Sequence, residues 1–333
     1  MRISVVTPHF NGSRFLLEAR QSLLDQTHSD WEWIIVDDGS DQEELDALDT
    51  LCKKDERIKW RPRQGGPKGG NRCRNQGWQN ATGDHILFLD SDDMLFPHAL
   101  EQRTNCVEQR PKNNRELPYF QTVAFREGEN ARWLWDDPEH AVPWLASLWS
   151  QTPPCQTSGP LWTKEALQCA GGWAEDIQVW QDIDIHQRAH FKGIRFTPAG
   201  NATPDILYRL HDQSLSHGNF HSSVKLRSRA SILIQALEYA REGRVNSSES
   251  QALASMIWSV FRNACLHKDW VLADKIIQRA SINFNEETNF LKQWKRKSKL
   301  RTNNISFIRN QMDKKAALLF PKNTRKILST PVK

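Results

Sequence analysis

The chain has 333 residues, 38% of them hydrophobic and 26% charged, which is enough for one large or two ordinary domains and excludes a long disordered protein. Residues 292–333 contain 13 Lys and Arg against one acid and so carry +12 of a total charge of only +5. The rest of the chain must therefore be acidic, with −7, and gives no reason to expect a nucleic-acid partner.

The N-terminal stretch MRISVVTPHF reads as a strand without the long apolar core of a signal peptide, and no apolar run approaches the roughly 20 residues of a membrane helix. The six cysteines form no CxxC pair, which favours reduced thiols over a disulfide framework or a zinc site. These features predict a cytoplasmic protein.

Strands and helices alternate through the first hundred residues. Strand patterns at 2–6, 31–36, 58–60 and 85–89 are separated by helical patterns at 15–26, 43–53 and 71–80. This alternation predicts an α/β fold with a doubly wound, mostly parallel sheet. Ligands of such sheets bind beyond the carboxyl ends of the strands, so the loops TPHFN, DDGS, GGPKGG and DSDD are expected to converge on one site.

The pattern is mixed from 115 to 218 and helical from about 220. We expect one nucleotide-binding half at 1–115, an acceptor-side half of the same domain at 116–218, and a helical C-terminal extension at 219–333. Residues 292–330 read as a basic amphipathic segment, which either folds onto the body or lies on an anionic membrane surface.

Three carboxylates follow the apolar run Ile86 to Leu89, namely Asp90, Asp92 and Asp93. Two such charges about 5 Å apart repel by roughly 1 kcal/mol in water and roughly 3 kcal/mol in a partly buried cleft. A bound cation would offset that cost. The alternative is that these acids cap a helix starting near Phe96.

Other nucleotide-binding fingerprints are absent. The loop after the first strand has one glycine instead of GxGxxG, and the glycine pair Gly65 and Gly70 is followed by Asn71-Arg72 instead of Lys and Ser or Thr. A nucleotidyltransferase would be expected to have a glycine-rich basic loop after strand one, which is also missing.

Five segments in order resemble the motifs of the family-two glycosyltransferases with the GT-A fold: ISVVTPHFN, VDDGSDQ, GGNRCRNQGWQNATGDHILFLDSDD, GGWAED…WQDIDIHQRA and YRLHDQSLS. The resemblance runs from residue 3 to about 217. It implies a Rossmann-like GT-A domain that uses Mn²⁺ or Mg²⁺ and a nucleoside-diphosphate sugar, most commonly a UDP-sugar.

The resemblance also implies roles for individual residues. Asp92 would ligate the metal, with Asp90 on the ribose or a metal-bound water and His211 as a further ligand. The nucleotide-sugar contacts would come from Thr7, Pro8, Asn11, Asp38, Arg74, Asp90 and Arg209. Ordinary structural readings stay open for most of these residues, such as an Asp-Gly turn at Asp38 or a solvated helix arginine at Arg74.

Asp182 would be the catalytic base, although Gln181 stands where the family usually has Glu. That change removes a charge and bears on acceptor binding more than on the base. Asp182 could instead cap a helix ending near His190. Of the seven tryptophans between 133 and 180, most are expected in the core, with Trp173 and Trp180 the best placed to line an acceptor cleft.

The sequence thus predicts an inverting, metal-dependent glycosyltransferase that moves a sugar to a glycan or lipid-linked acceptor. Cell-surface polysaccharide, lipopolysaccharide or glycolipid synthesis would each fit, with peripheral attachment at the inner face of the membrane through residues 292–330. The alternatives are a non-catalytic sugar-nucleotide or glycan-binding protein and, more weakly, a nucleotidyltransferase.

Overall fold

A computed structural model describes residues 1–110, 115–129, 132–135, 142–211, 222–299 and 330–332. Its strands are β1 (Ile3–His9), β2 (Trp31–Asp37), β3 (Ile58–Pro62), β4 (His85–Phe88), β5 (Met94–Leu95), β6 (Glu116–Tyr119), β7 (Thr122–Arg126), β8 (Arg132–Leu134), β9 (Trp162–Thr163), β10 (Arg195–Pro198), β11 (Ile206–Leu210) and β12 (Thr330–Val332). Its helices are α1 (Ser13–Leu24), α2 (Gln42–Cys52), α3 (Gly70–Asn80), α4 (Ala99–Glu108), α5 (Trp144–Trp149), α6 (Lys164–Ala170), α7 (Gln181–Phe191), α8 (Ser223–Arg241), α9 (Ser247–Leu266), α10 (Trp270–Ala280) and α11 (Asn285–Lys299).

These elements form two compact units. The first unit contains all of the strands and helices α1–α4, α6 and α7, and it carries every predicted site residue. The second unit contains α8–α11 together with the short helix α5 from the middle of the chain.

A five-stranded sheet with the order β3-β2-β1-β4-β9 forms the centre of the first unit. Strands β1 to β4 are parallel and β9 is antiparallel to β4. All seven residues of β2 are buried, as expected for a strand covered on both faces. The predicted doubly wound, mostly parallel α/β fold with a helical C-terminal region is confirmed.

Strand β1 is longer than predicted. The predicted strand ended at residue 6. In the structure, Thr7, Pro8 and His9 also pair in parallel register with β2. Proline is tolerated at this end of the strand, since it removes only a donor and keeps an extended backbone. The predicted loop therefore begins at Phe10.

The second five-stranded sheet has the order β12-β8-β7-β11-β5 and brings distant parts of the chain to the site. The acidic segment after β4 leads directly into β5, which pairs antiparallel with β11 through Ile206 with Leu95 and Leu207 with Met94. The residues that follow in β11 therefore run back past the acidic segment.

In the second unit, α9 packs against α5, α8, α10 and α11. Its N-terminus is closed by a capping box between Asn246 and Glu249. An aromatic cluster joins Trp258 and Phe261 to Trp294 at ring-centroid distances of 5.6 and 5.9 Å. The predicted basic amphipathic segment lies mostly outside the described residues, apart from the end of α11.

All six cysteines are free, as predicted. Burial raises the pKa of the Cys73 thiol to about 12. Within the described ranges, no helix combines the length and apolarity needed to cross a bilayer.

Candidate active site

The loops after β1, β2, β3 and β4 meet at the carboxyl edge of the first sheet. The Asn11 amide N–H donates to Ser40 Oγ at 2.9 Å, which joins the first loop to the second. The third loop joins them through Gly69, whose N–H donates to Asp38 Oδ1 at 3.1 Å. The predicted convergence of these loops is thus present in the structure.

Asp38 is buried and is held by Arg63, which was not among the predicted site residues. Arg63 Nε donates to Asp38 Oδ1 at 2.6 Å, and its guanidinium also reaches the carbonyl of Gly66 at 3.0 Å. Arg63 directly follows β3, so its place at the same sheet edge was the available signal. The pair orders the glycine-rich loop beside the expected nucleoside position.

Two of the predicted nucleotide contacts use their side chains within the protein. Thr7 is fully buried, and its hydroxyl accepts a hydrogen bond from Trp33 Nε1 at 2.8 Å, so this side chain cannot contact a surface ligand. The side chain of Asn11 exchanges 3.1 Å hydrogen bonds with Asp41 in both directions. Pro8 stays partly exposed and lies next to the start of α3.

The three carboxylates after β4 have different surroundings. Asp90 Oδ1 accepts from Arg74 Nη2 at 2.6 Å, whereas Asp92 Oδ2 lies 2.8 Å from His211 Nε2. Asp93 is fully buried and accepts the backbone N–H of Arg209 at 3.1 Å. None of the three caps α4, which begins at Ala99 without a side-chain cap.

Burial and mutual repulsion make Asp92 and Asp93 hold protons more tightly than free carboxylic acids do. Burial and then the charge of Asp90 raise the pKa of Asp92, against the opposing effect of His211. Burial, followed by the charges of Asp92 and Asp90, raises the pKa of Asp93 well above its usual value. The segment is therefore a place where an added positive charge would be stabilised.

Arg74 connects the acidic segment to the helix that carries the predicted base. It is 5% exposed, and its Nη1 donates to Gln181 Oε1 at 2.7 Å while Nη2 binds Asp90. Its guanidinium also lies 4.9 Å above the ring of buried Trp173. Arg74 was predicted to bind the nucleotide sugar, and its described contacts are with protein groups.

Asp182 stands in the first turn of α7, whose end at Phe191 agrees with the prediction. Its Oδ1 accepts the adjacent Ile183 N–H at 2.9 Å, and it is not the N-cap residue, which is Trp180. Burial is the main cause that raises the pKa of Asp182, while the hydrogen bonds from the backbone and the charge of Arg74 lower it. A carboxylate with a raised pKa is a stronger base once ionised.

Arg209 is almost completely buried beside the acidic segment. Its Nε donates to the Asp92 carbonyl at 3.1 Å and its Nη2 to Glu18 at 2.5 Å, with Glu127 3.6 Å from Nη1. Glu18 was not predicted, since nothing in the α1 sequence distinguishes it from a surface acid. These contacts fix the segment and place positive charge next to Asp92.

The residues present fit a divalent cation that shares its ligands with a substrate. Among the described residues, no group of three or more His, Cys, Asp or Glu forms a ready-made metal cage. Asp92 and His211 lie close enough to act as a pair, and the buried Nδ1 of His211 has no hydrogen-bond partner among the residues that the structure describes. Mg²⁺ and Mn²⁺ typically bind through one or two side chains, with phosphate oxygens and water completing the shell.

The N-terminal part of the chain matches a known protein family. Residues 4–136 match the family described as glycosyl transferase family 2. This part of the chain belongs to glycosyltransferase family 2. The resemblance predicted from the five motifs is thereby confirmed.

Curated glycosyltransferases match about a third of this chain. An uncharacterised glycosyltransferase from Rickettsia conorii is 39% identical over 108 residues, which are 32% of this chain and 17% of that protein. A GalNAc(5)-diNAcBac-PP-undecaprenol beta-1,3-glucosyltransferase from Campylobacter jejuni is 36% identical over 99 residues, which are 30% of this chain and 32% of that protein. The matched part thus spans well under half of either relative.

Solved structures extend the likeness from this region to the fold of most of the chain. S. aureus TarS 1–349, also determined with UDP-GlcNAc, has a TM-score of 0.64 at 14% identity and covers 95% of this chain and 92% of its own. The mannosyltransferase PcManGT from Pyrobaculum calidifontis, solved with GDP-Man and Mn²⁺, has a TM-score of 0.51 at 14% identity and covers 97% of this chain and 88% of its own. The predicted GT-A fold is confirmed.

Proposed function

We propose that this protein is an inverting, metal-dependent glycosyltransferase that moves a sugar from a nucleoside-diphosphate sugar to an acceptor hydroxyl. The observation that carries the proposal is the bridge from Asp90 through Arg74 to Gln181. This bridge joins the acidic segment after β4 to the residue that precedes Asp182, which supports a single site. We expect the donor diphosphate at the acidic segment and the catalytic base at Asp182.

Asp182 would act as the general base. Its carboxylate takes the proton of the acceptor hydroxyl, and the oxygen attacks the anomeric carbon from the side opposite the departing diphosphate, which inverts the configuration. Such help typically contributes about 10²–10⁴-fold to the rate. Burial raises the pKa of Asp182, which improves its strength as a base.

The acidic segment would serve the donor. Asp92 and His211 would hold Mg²⁺ or Mn²⁺, with Asp90 toward the ribose or a metal-bound water. The bound ion supplies positive charge against the negative charge that develops on the leaving diphosphate. Asp38 would face the nucleoside, ordered by Arg63.

We infer that the acceptor is a glycan or a lipid-linked glycan of the cell surface. The Campylobacter jejuni relative is named for an undecaprenol-linked substrate, and a Bacillus subtilis relative, TuaG, is named as a putative teichuronic acid biosynthesis enzyme. A UDP-sugar is the donor we favour, since S. aureus TarS has been solved with UDP-GlcNAc. Membrane contact through residues 292–330 would suit a lipid-linked acceptor.

A thermal-shift panel of UDP, GDP, dTDP and CDP, each with and without Mn²⁺, tests the donor assignment. A nucleotide at 100 times its Kd stabilises the folded state by about 2.7 kcal/mol. We expect one diphosphate to stabilise the protein only when metal is present. The corresponding nucleotide sugar should then be hydrolysed slowly with water as acceptor.

The second candidate is a non-catalytic binding protein on the same fold, and Gln181 is the feature that favours it. A binder would show the nucleotide shift but no hydrolysis and no transfer with any acceptor extract. An intact Asp182 favours the enzyme, since binding alone requires no base.

A further inference from the structure

Trp180 occupies a position where a tryptophan is disfavoured by both helix-capping preference and backbone conformation. It is the N-cap residue of α7, where Ser, Thr, Asp or Asn are preferred, and its side chain makes no capping bond. Its backbone is left-handed, with φ 58° and ψ 35°, a conformation that costs free energy for a bulky residue. Glycine or asparagine would adopt this left-handed conformation with less strain.

The segment that precedes Trp180 is held firmly by α3. Asn75 exchanges hydrogen bonds with the backbone of Trp173 at 2.8 and 2.9 Å. Asn71 Nδ2 donates to the carbonyls of Ala174 and Ile177 at 2.7 and 3.0 Å. The chain therefore enters α7 along a fixed path, which sustains the strained residue at its end.

The segment that follows Trp180 is fixed as well. Gln181 accepts from Arg74, and its Nε2 donates to the carbonyls of Ile177 and Gln178 at 3.4 and 3.3 Å. The Trp180 carbonyl accepts the N–H of Asp184 at 2.9 Å, as the first helical bond requires. Strain maintained from both sides, two residues before the proposed base, points to a function for the side chain.

Other tryptophans of the first unit show what a structural role looks like here. Trp173 is 2% exposed and packs edge-on against Phe88 at 5.0 Å, and Trp162 is fully buried against Phe196 at 5.5 Å. Trp180 instead keeps part of its surface in solvent. Of the two tryptophans that the sequence placed near an acceptor cleft, Trp180 is the one whose side chain is partly exposed.

We propose that Trp180 is the platform on which the acceptor sugar lies, and that the acceptor is a pyranoside whose apolar C–H face packs on the indole ring. This inference rests on the proposed function and names its acceptor class. Trp180 precedes the proposed base by two residues, so a sugar on its ring would lie near Asp182. An indole face offers a large rigid apolar surface at low entropic cost.

The test uses variants that separate the ring from the backbone. Trp180→Gly removes the ring and relieves the strain, whereas Trp180→Phe keeps an aromatic face. Trp60→Ala is the control, since it removes another partly exposed tryptophan, which lies on β3 and donates a hydrogen bond to Asp49 of α2. Melting temperatures establish that each variant is folded, and Trp180→Gly should melt no lower than wild type.

Saturation-transfer NMR with methyl pyranosides, in the presence of UDP and Mg²⁺, measures binding without turnover. We expect signals from the protons of one ring face with wild type, Trp180→Phe and Trp60→Ala, and at least a five-fold loss with Trp180→Gly. Equal signals with Trp180→Gly, or none with wild type, would overturn the platform.

Hydrolysis of UDP-sugars with water as acceptor reports on the proposed function separately. Trp60→Ala should hydrolyse the donor at the wild-type rate, because Trp60 bonds to Asp49 and is not part of the proposed site. A wild-type protein that binds pyranosides but never hydrolyses or transfers a donor sugar would refute the enzyme and leave the platform standing. Loss of donor hydrolysis in a folded Trp180→Gly would show instead that the residue positions Asp182, and the platform would be rejected.

Discussion

His211 Nε2 lies 2.8 Å from Asp92 Oδ2, although 119 positions separate the two residues in the chain. The antiparallel pairing of β5 with β11 creates this contact, because it runs the end of β11 past the acidic segment. A metal site shared with a nucleotide can thus be assembled from two distant motifs.

Loss of either partner is expected to weaken metal-dependent nucleotide binding. Asp92→Asn or His211→Ala should raise the Mn²⁺ concentration needed for half of the UDP thermal shift by about 10–100-fold, the usual cost of disturbing a metal site. His98→Ala is the matched control, since that imidazole lies elsewhere in the first unit beside Thr203. An unchanged metal requirement in both site variants would contradict the assignment.

Asp182→Asn is expected to separate binding from turnover. The amide keeps the shape of the side chain but cannot take a proton, so turnover should fall by about 10²–10⁴-fold while the UDP thermal shift is retained. Asp184→Asn serves as the control, because Asp184 pairs with Arg188 and should affect stability more than rate. Near wild-type turnover in Asp182→Asn would remove Asp182 from the mechanism.

Replacement of Arg74 should move the pH dependence of the rate. Burial raises the pKa of Asp182 and the positive charge of Arg74 lowers it. Arg74→Met removes the lowering effect, so Asp182 should ionise at a higher pH, and the acid limb of the kcat profile should shift toward alkaline pH. Arg74→Lys retains the charge and should shift less. A shift to lower pH in Arg74→Met would be inconsistent with this coupling.

The acidic segment should make the metal-free protein less stable as pH rises. Burial, then Asp92 and Asp90, raise the pKa of Asp93, so the folded state binds more protons than the unfolded state above the usual value of 3.8. The free energy of unfolding therefore falls as pH rises. For one proton, the slope is at most about 1.4 kcal/mol per pH unit. Unfolding free energies measured by denaturant titration at several pH values, in EDTA, should show this slope. Asp93→Asn should reduce the slope. An unaltered slope would locate the effect elsewhere.

The buried pair Arg103–Asp205 is expected to support the fold without contributing to the site. Both residues are fully buried and joined by hydrogen bonds of 2.8 and 2.9 Å, and Arg103 also donates to the Ser158 carbonyl. Arg103→Met leaves a buried charge unpaired and should cost about 3–5 kcal/mol of unfolding free energy. The double variant Arg103→Met with Asp205→Leu should recover part of that loss. Equal stability of the single variant and wild type would argue against this role.

The parallel sheet could be predicted because its signals are local. A run such as WEWIIV has the length and composition of a strand buried on both faces, and the carboxyl ends of parallel strands meet whatever the details of the loops. The place of Asp38, Asp90 and Asp92 at one edge follows from this topology alone.

The direction of individual side chains could not be predicted. Thr7 lies at the expected edge, but its hydroxyl is buried under Trp33, because the strand continues for three residues beyond the predicted end. Arg74 binds Gln181, a residue 107 positions away, through a contact that exists only in the folded chain. Likewise, no periodicity distinguishes Glu18, the partner of Arg209, from other exposed acids.

The second unit is built from two separate parts of the chain, because α5 groups with the C-terminal helices. Leu145, Leu148 and Trp149 are fully buried, and α5 packs on α9, which follows about a hundred residues later. A chain that ended near residue 218 would leave this apolar helix without its neighbour. The second unit therefore cannot be removed as one continuous C-terminal segment without exposing the apolar side chains of α5.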